Sequence, residues 1–126
     1  MGYEIHITRK EIWHEENHNK DIPLGEWLRY VSGDNEMILA DPDNPQSGDA
    51  LWRREPKTEI VNYFSYNHGN GDITVKNPDN EVIWKMINIS TSLKAKVQGD
   101  EEECYDESYF DRIKKPAKKQ WWKFWN

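Results

Sequence analysis

ITVKNPDNEVIWKMINISTSLKAKVQ, residues 73–98, reads as strand, helix and strand in succession. Residues 73–76 are β-branched in three of four positions, a composition that suits a pleated, half-buried surface. Asn77 is a good N-cap and Pro78 suits the first helical position, while Asp79 and Glu81 complement the positive end of a helix. Val82, Met86, Ile89 and Leu93 then recur at spacings of 4, 3 and 4, and Ile83 and Ile87 widen the stripe, so one face of a helix ending near Lys94 meets a core. Glu81 and Lys85 stand as an i,i+4 pair expected on the outer side. A short strand over residues 95–98 completes the unit, and joins this short permit a parallel right-handed crossover.

Working towards the N-terminus, NHGNGD at 67–72 is rich in residues that tolerate positive φ. It joins a strand over 59–66 to the strand at 73–76 as a hairpin. Ile60, Phe64 and Tyr66 on one side of the 59–66 strand and Val61 and Tyr63 on the other predict that both faces meet protein. Residues 37–40 and 51–54 are further candidate strands around a proline-containing loop at 41–49. Leu24, Trp27, Leu28 and Val31 make a single stripe at i, i+3, i+4 and i+7, a helix that Asp21 is placed to cap and Gly33 to stop. Residues 3–9 alternate, with Tyr3, Ile5 and Ile7 opposite Glu4, His6 and Thr8, so His6 is expected on the polar side of a first strand. Gly99 should turn the chain, 103–105 close a hairpin, and 108–113 form a last helical turn before Pro116. The architecture predicted is α+β, a mixed and mostly antiparallel sheet of four to six strands with two helices packed on it.

Length and charge bound the organisation. The 126 residues are one domain's worth, read as a single α+β domain over 1–113 and a C-terminal tail over 114–126. The tail, KKPAKKQWWKFWN, carries five lysines and no acid, so a chain of net charge −6 divides into a body of −11 and a tail of +5. An acidic body disfavours nucleic acid, whose phosphates require a basic face, and favours a basic protein partner through steering and complementarity. Cys104 is the only cysteine, which excludes an intramolecular disulfide and a cysteine-based zinc cluster within one chain. Residues 1–10 lack the apolar core of a signal peptide and no run of about 18 apolar residues occurs, so a cytoplasmic address is expected.

Few residues suggest chemistry. His14-Glu15-Glu16-Asn17-His18 matches H-E-x-x-H, which on a long buried helix places two imidazoles on zinc and a glutamate beside the bound water. Here no apolar stripe accompanies it, and a polar loop is expected. The run Asp100, Glu101, Glu102, Glu103, Asp106, Glu107 and Asp111 has carboxylates enough for calcium or magnesium but not the residue order of a calcium loop. His68 lies in a turn without a nucleophile nearby, and the acids around Cys104 disfavour its thiolate. Neither a catalytic residue, a metal ligand nor a cofactor is assigned. In the tail, Trp121, Trp122, Phe124 and Trp125 interleaved with lysine suit a membrane interface, a partner, or the acidic body itself.

The segments YEIHITRKEIW (3–13), EWLRYV (26–31), VKNPDNEVIWKM (75–86) and AKVQGDEEECY (95–105) resemble a family of small single-domain bacterial proteins without an established enzymatic activity. These in turn are similar to the immunity proteins encoded beside polymorphic toxins. The chain departs from that pattern at HEENH, where the family more often has acidic and small residues, and the tail is shared less uniformly. The resemblance implies a non-catalytic protein that binds and blocks a cognate toxin with a basic surface. Asp100, Glu101, Glu102, Glu103, Tyr105 and Asp106, joined by Trp52 as an exposed aromatic, are the expected contact residues. The alternatives are a membrane-peripheral adaptor using the tail and a small zinc hydrolase using His14 and His18.

Overall fold

The computed structural model describes residues 3–53 and 61–109. Among the described residues seven strands form one sheet in the order β2-β3-β4-β5-β1-β6-β7. They are β1 (Glu4–Thr8), β2 (Met37–Leu39), β3 (Ala50–Arg53), β4 (Val61–Asn67), β5 (Asp72–Lys76), β6 (Lys96–Gly99) and β7 (Cys104–Tyr105). Among the described residues two longer helices, α1 (Leu24–Gly33) and α2 (Asn80–Leu93), complete the α+β architecture, with 3-10 turns at His18–Lys20 and Pro45–Ser47 and a last helix that opens at Glu107. Each pair of neighbours is antiparallel. The sheet exceeds the expected four to six strands because its edges, β2 and β7, are only three and two residues long. Both were expected only as a candidate strand at 37–40 and a hairpin closure at 103–105, and both pair in the sheet.

The unit that opens the sequence folds as β5, α2 and β6, with a difference in pairing. β5 and β6 both run antiparallel to β1, which lies between them. They therefore point the same way without pairing, and the helix crosses over the N-terminal strand. The start of α2 also differs from expectation. Asn77 adopts a left-handed φ of 49° and closes the end of β1: its amide donates to the Tyr3 carbonyl at 2.6 Å and its Oδ1 accepts from the Tyr3 amide at 3.0 Å. The N-cap is Asp79, whose Oδ1 accepts from the Val82 amide at 3.0 Å. The helix ends at Lys94 in a left-handed cap.

One face of the sheet carries the core. Ile5, Ile7, Ala50, Trp52, Phe64, Ile73, Val75 and Val97 are buried with Trp27 and Val31 of α1 and with Val82, Met86, Ile89 and Leu93 of α2. Trp27 is tied further by its Nε1–H, which donates to the Gly48 carbonyl at 2.6 Å. Trp52, expected at the surface, is 2% exposed: pairing with Met37 and Asn62 turns it to the helix side, where its Nε1–H donates to Glu36. Lys85 is likewise not on the outer side. It is buried, and its Nζ donates to Asp34 Oδ2 at 2.8 Å and Glu36 Oε1 at 2.9 Å in the turn that follows α1. Asp21 does not cap α1, whose N-cap is Pro23 without a side-chain bond.

The opposite face has no helix over it among the described residues. Tyr63 is 51% exposed there, so β4 is buried on one face and not on two. Lys76, Thr74 and Ser65 share this face with Glu4 and His6 by register. The Glu59 and Ile60 end of the expected strand, the helical turn past Tyr109 and the tail lie outside the described residues.

Candidate functional site

The hairpin of β6 and β7 turns through residues 99–104, where the Gly99 amide donates to the Glu103 carbonyl, the Gly99 carbonyl accepts from the Glu102 amide, and Glu102 takes a left-handed φ of 71°. Only some of its acids face outwards. Asp100 bonds the molecule on both oxygens, Oδ2 accepting from the Glu4 amide at 2.9 Å and Oδ1 lying 3.1 Å from His6 Nε2. Glu103 accepts from the Glu101 amide and from the Tyr105 hydroxyl. The Tyr105 hydroxyl also lies 3.1 Å from that of Tyr3, and burial with the Glu103 carboxylate beside it raises the phenol's pKa. Glu101, Glu102 and Asp106 are exposed. Asp106 caps the following turn through Ser108, and the helix begins at Glu107.

A second acidic segment joins this hairpin. Residues 9–17 fold over the β1 and β6 part of the helix-free face, held by Lys96 Nζ and Gln98 Nε2, which donate to the Glu11 carbonyl at 2.7 and 3.2 Å. Gln98 Oε1 accepts from the Trp13 amide at 2.7 Å. His14 Nε2 reaches Glu102 at 2.9 Å. The segment that carries Glu11, Glu15 and Glu16 therefore meets the acidic hairpin at Glu102, through His14, an acidic pole that the linear order of the chain conceals. The H-E-x-x-H segment runs from a turn at His14 through irregular chain into the 3-10 turn that starts at His18, not along an α-helix. His18 pairs with Asp21 at 3.2 Å while His14 pairs with Glu102, so the two imidazoles have separate partners and share no helix face.

Under the 9–17 segment lies a buried polar cluster. His6, expected on the polar side of β1, is 1% exposed because Trp13 stacks on its ring with centroids 3.9 Å apart. Its Nδ1 is 3.1 Å from Thr74 Oγ1 and 3.6 Å from Asp72 Oδ2. Thr74 Oγ1 in turn lies 3.2 Å from Asp72 Oδ1. Burial pushes the Asp72 carboxyl up to about 7 against the opposing pull of the Thr74 bond and the Lys10 charge. Burial also holds His6 below its ordinary value despite its bond to Asp100. Lys10, buried itself, forms an ion pair with Asp21 at 3.3 Å. Glu4, His6 and Asp100 bring one carboxylate oxygen, one imidazole nitrogen and a second carboxylate oxygen within 4.8 Å of one another. Beside the cluster, the open face holds a groove of about 800 Å³ lined by Glu4, Tyr63, Ser65, Asn67, Thr74 and Lys76 among others.

Of the residues expected at a partner surface, the fold gathers Asp100, Glu101, Glu102, Glu103, Tyr105 and Asp106 on one hairpin and its exit and sends Trp52 to the core. His6, Thr74 and Asp72 escaped the sequence reading. Their signal is the alternation in EIHIT and DITVK, which puts His6 beside Thr74 once β1 and β5 are known to be neighbours. Among the described residues no helix is long and apolar enough to cross a membrane. Searches against protein-family models, curated proteins and solved structures find no match to this chain.

Proposed function

We propose that the chain is a non-catalytic binding protein, an immunity protein that acts in the cytoplasm by docking its acidic pole on the basic surface of a cognate bacterial toxin and blocking it. The observation that carries the reading is the contact of His14 with Glu102, which brings the segment bearing Glu11, Glu15 and Glu16 against the hairpin bearing Glu101 and Glu102. A mostly acidic surface contributed by two segments steers an oppositely charged partner and favours one orientation. Inhibition of this kind needs no chemistry in the inhibitor. The bonds that commit Asp100 and Glu103 to the molecule hold the hairpin in shape, so Glu101 and Glu102 are presented without a large ordering cost on binding.

The test is to recover the partner from the native cell with the full-length chain as bait, express that partner, and ask whether co-expression restores growth. A basic, toxic partner that the chain neutralises supports the reading, provided that Glu101→Lys with Glu102→Lys weakens neutralisation. A partner without toxicity, or neutralisation indifferent to that charge reversal, contradicts it.

A further inference from the structure

The Glu4, His6 and Asp100 group has the ligand chemistry of a divalent metal site. Its donors are one imidazole nitrogen and two carboxylates, all within 4.8 Å of one another. Two carboxylates suit the charge of a divalent ion, and a nitrogen among oxygens suits zinc or manganese better than calcium or magnesium. The imidazole is held as a ligating histidine is usually held. Nδ1 faces Thr74 Oγ1 at 3.1 Å, and Thr74 is backed by Asp72 at 3.2 Å. With Nδ1–H donating to Thr74 and the Thr74 hydroxyl donating to Asp72, Nε2 presents a lone pair on the Asp100 side once the proton between Nε2 and Asp100 Oδ1 gives way to an ion.

An independent observation is the state of Asp72. It is wholly buried, and its Oδ2 finds no hydrogen-bond partner among the described residues while lying 3.6 Å from His6 Nδ1. A buried carboxylate behind the imidazole is costly in a merely structural cluster, and it is the group that orients a histidine and raises its basicity towards a metal. Access is open on the ligand side, since the Asp100 side chain is 32% exposed and Glu4 borders the groove.

We propose that Glu4, His6 and Asp100 bind one divalent ion of the zinc class, with water completing its coordination. The ion takes the place of the hydrogen bond between His6 Nε2 and Asp100 Oδ1. Metal–ligand lengths of about 2.0–2.2 Å put tetrahedral donor atoms roughly 3.3 Å apart, so from donors within 4.8 Å the flexible Glu4 side chain closes by up to about 1.5 Å. Bound there, the ion links β1 to the β6–β7 hairpin. This inference does not rest on the partner-binding reading.

The test is calorimetric titration of the chelator-stripped, full-length chain with zinc chloride, and separately with manganese, magnesium and calcium chlorides. The expected result is one saturable zinc site per chain, weakened at least tenfold by Glu4→Gln and by Asp100→Asn. The site is retained in the double variant His14→Ala, His18→Ala, and calcium binds at least tenfold more weakly than zinc. On zinc addition the His6 ring resonances should shift in NMR spectra. Should Asp100→Asn fail to fold by circular dichroism, Glu4→Gln and the His6 resonances decide. No saturable binding, binding unchanged in Glu4→Gln, loss of the site with His14 and His18, or calcium binding equal to zinc would overturn the proposal.

Discussion

At Lys85 an ammonium 8% exposed meets the Asp34 carboxylate, 12% exposed, and the Glu36 carboxylate. Removing one member of such a pair leaves the other charge in a poorly solvated place. Lys85→Met is expected to cost about 3 kcal/mol in urea unfolding, with part of the loss recovered in the double variant with Asp34→Asn. Burial alone would raise the Asp34 pKa, but the bonds from Lys85 and the Tyr30 hydroxyl outweigh it and leave the carboxyl below its ordinary value. A depressed folded pKa contributes stability that is full above the unfolded value near 4 and is lost as pH falls through the lower folded value. Asp34→Asn should therefore lose less stability than wild type between pH 5 and pH 2, as read by urea midpoints. Lys85 also marks a limit of sequence reading. The i,i+4 spacing with Glu81 points outwards on an isolated helix, whereas the true partners lie some fifty residues earlier in the turn after α1. Trp52 belongs to the same class, because its side of the strand depends on register with β2 and β4. Trp52→Ala is expected to cost about 3–5 kcal/mol, while Tyr63→Ala on the open face changes stability by less than about 0.5 kcal/mol.

Elements with a long period were legible. The stripe of Val82, Met86, Ile89 and Leu93 is buried as its spacing requires, the α1 stripe places Trp27 and Val31 in the core, and the 67–72 turn joins β4 to β5. Their ends were not legible, because local preference competes there with closure of the sheet. Asn77 has the chemistry of an N-cap, yet its bonds to Tyr3 seal β1 against the end of β5, and Asp79 caps the helix instead. Asp79→Ala should cost about 1 kcal/mol, measured by chemical denaturation. Gly48 is constrained in another way. Its φ is 78°, and a Cβ there would lie 2.6 Å from the Tyr66 Cβ and 2.9 Å from a Leu24 methyl. Gly48→Ala displaces the carbonyl that accepts from Trp27 as well as straining the backbone. A loss of about 2 kcal/mol is expected from strain and overpacking together, with a change in Trp27 fluorescence as a second readout.

On the scale of the whole molecule, charge is sorted by topology. The sheet order puts β6 and β7 at one edge beside β1, so the chain leaving β1 crosses to that edge and brings the segment bearing Glu11, Glu15 and Glu16 against the acidic hairpin at the His14–Glu102 contact. The acidity of the body was plain in the composition, and the hairpin run was plain in the sequence. That two acidic segments share one surface was not, since 85 residues separate Glu11 from Lys96, the residue that secures it. The polar face also divides by topology into a covered half over His6 and an open half around Tyr63. The central claim is that the acidic pole recognises a basic toxin, and it is tested most directly by calorimetry of the full-length chain against the partner recovered from the native cell. Wild type should bind it with an affinity that falls as salt is raised, and Glu101→Lys with Glu102→Lys should weaken binding at least tenfold without altering the circular dichroism spectrum. Equal affinity in wild type and the charge-reversed variant, with no dependence on salt, would contradict the account.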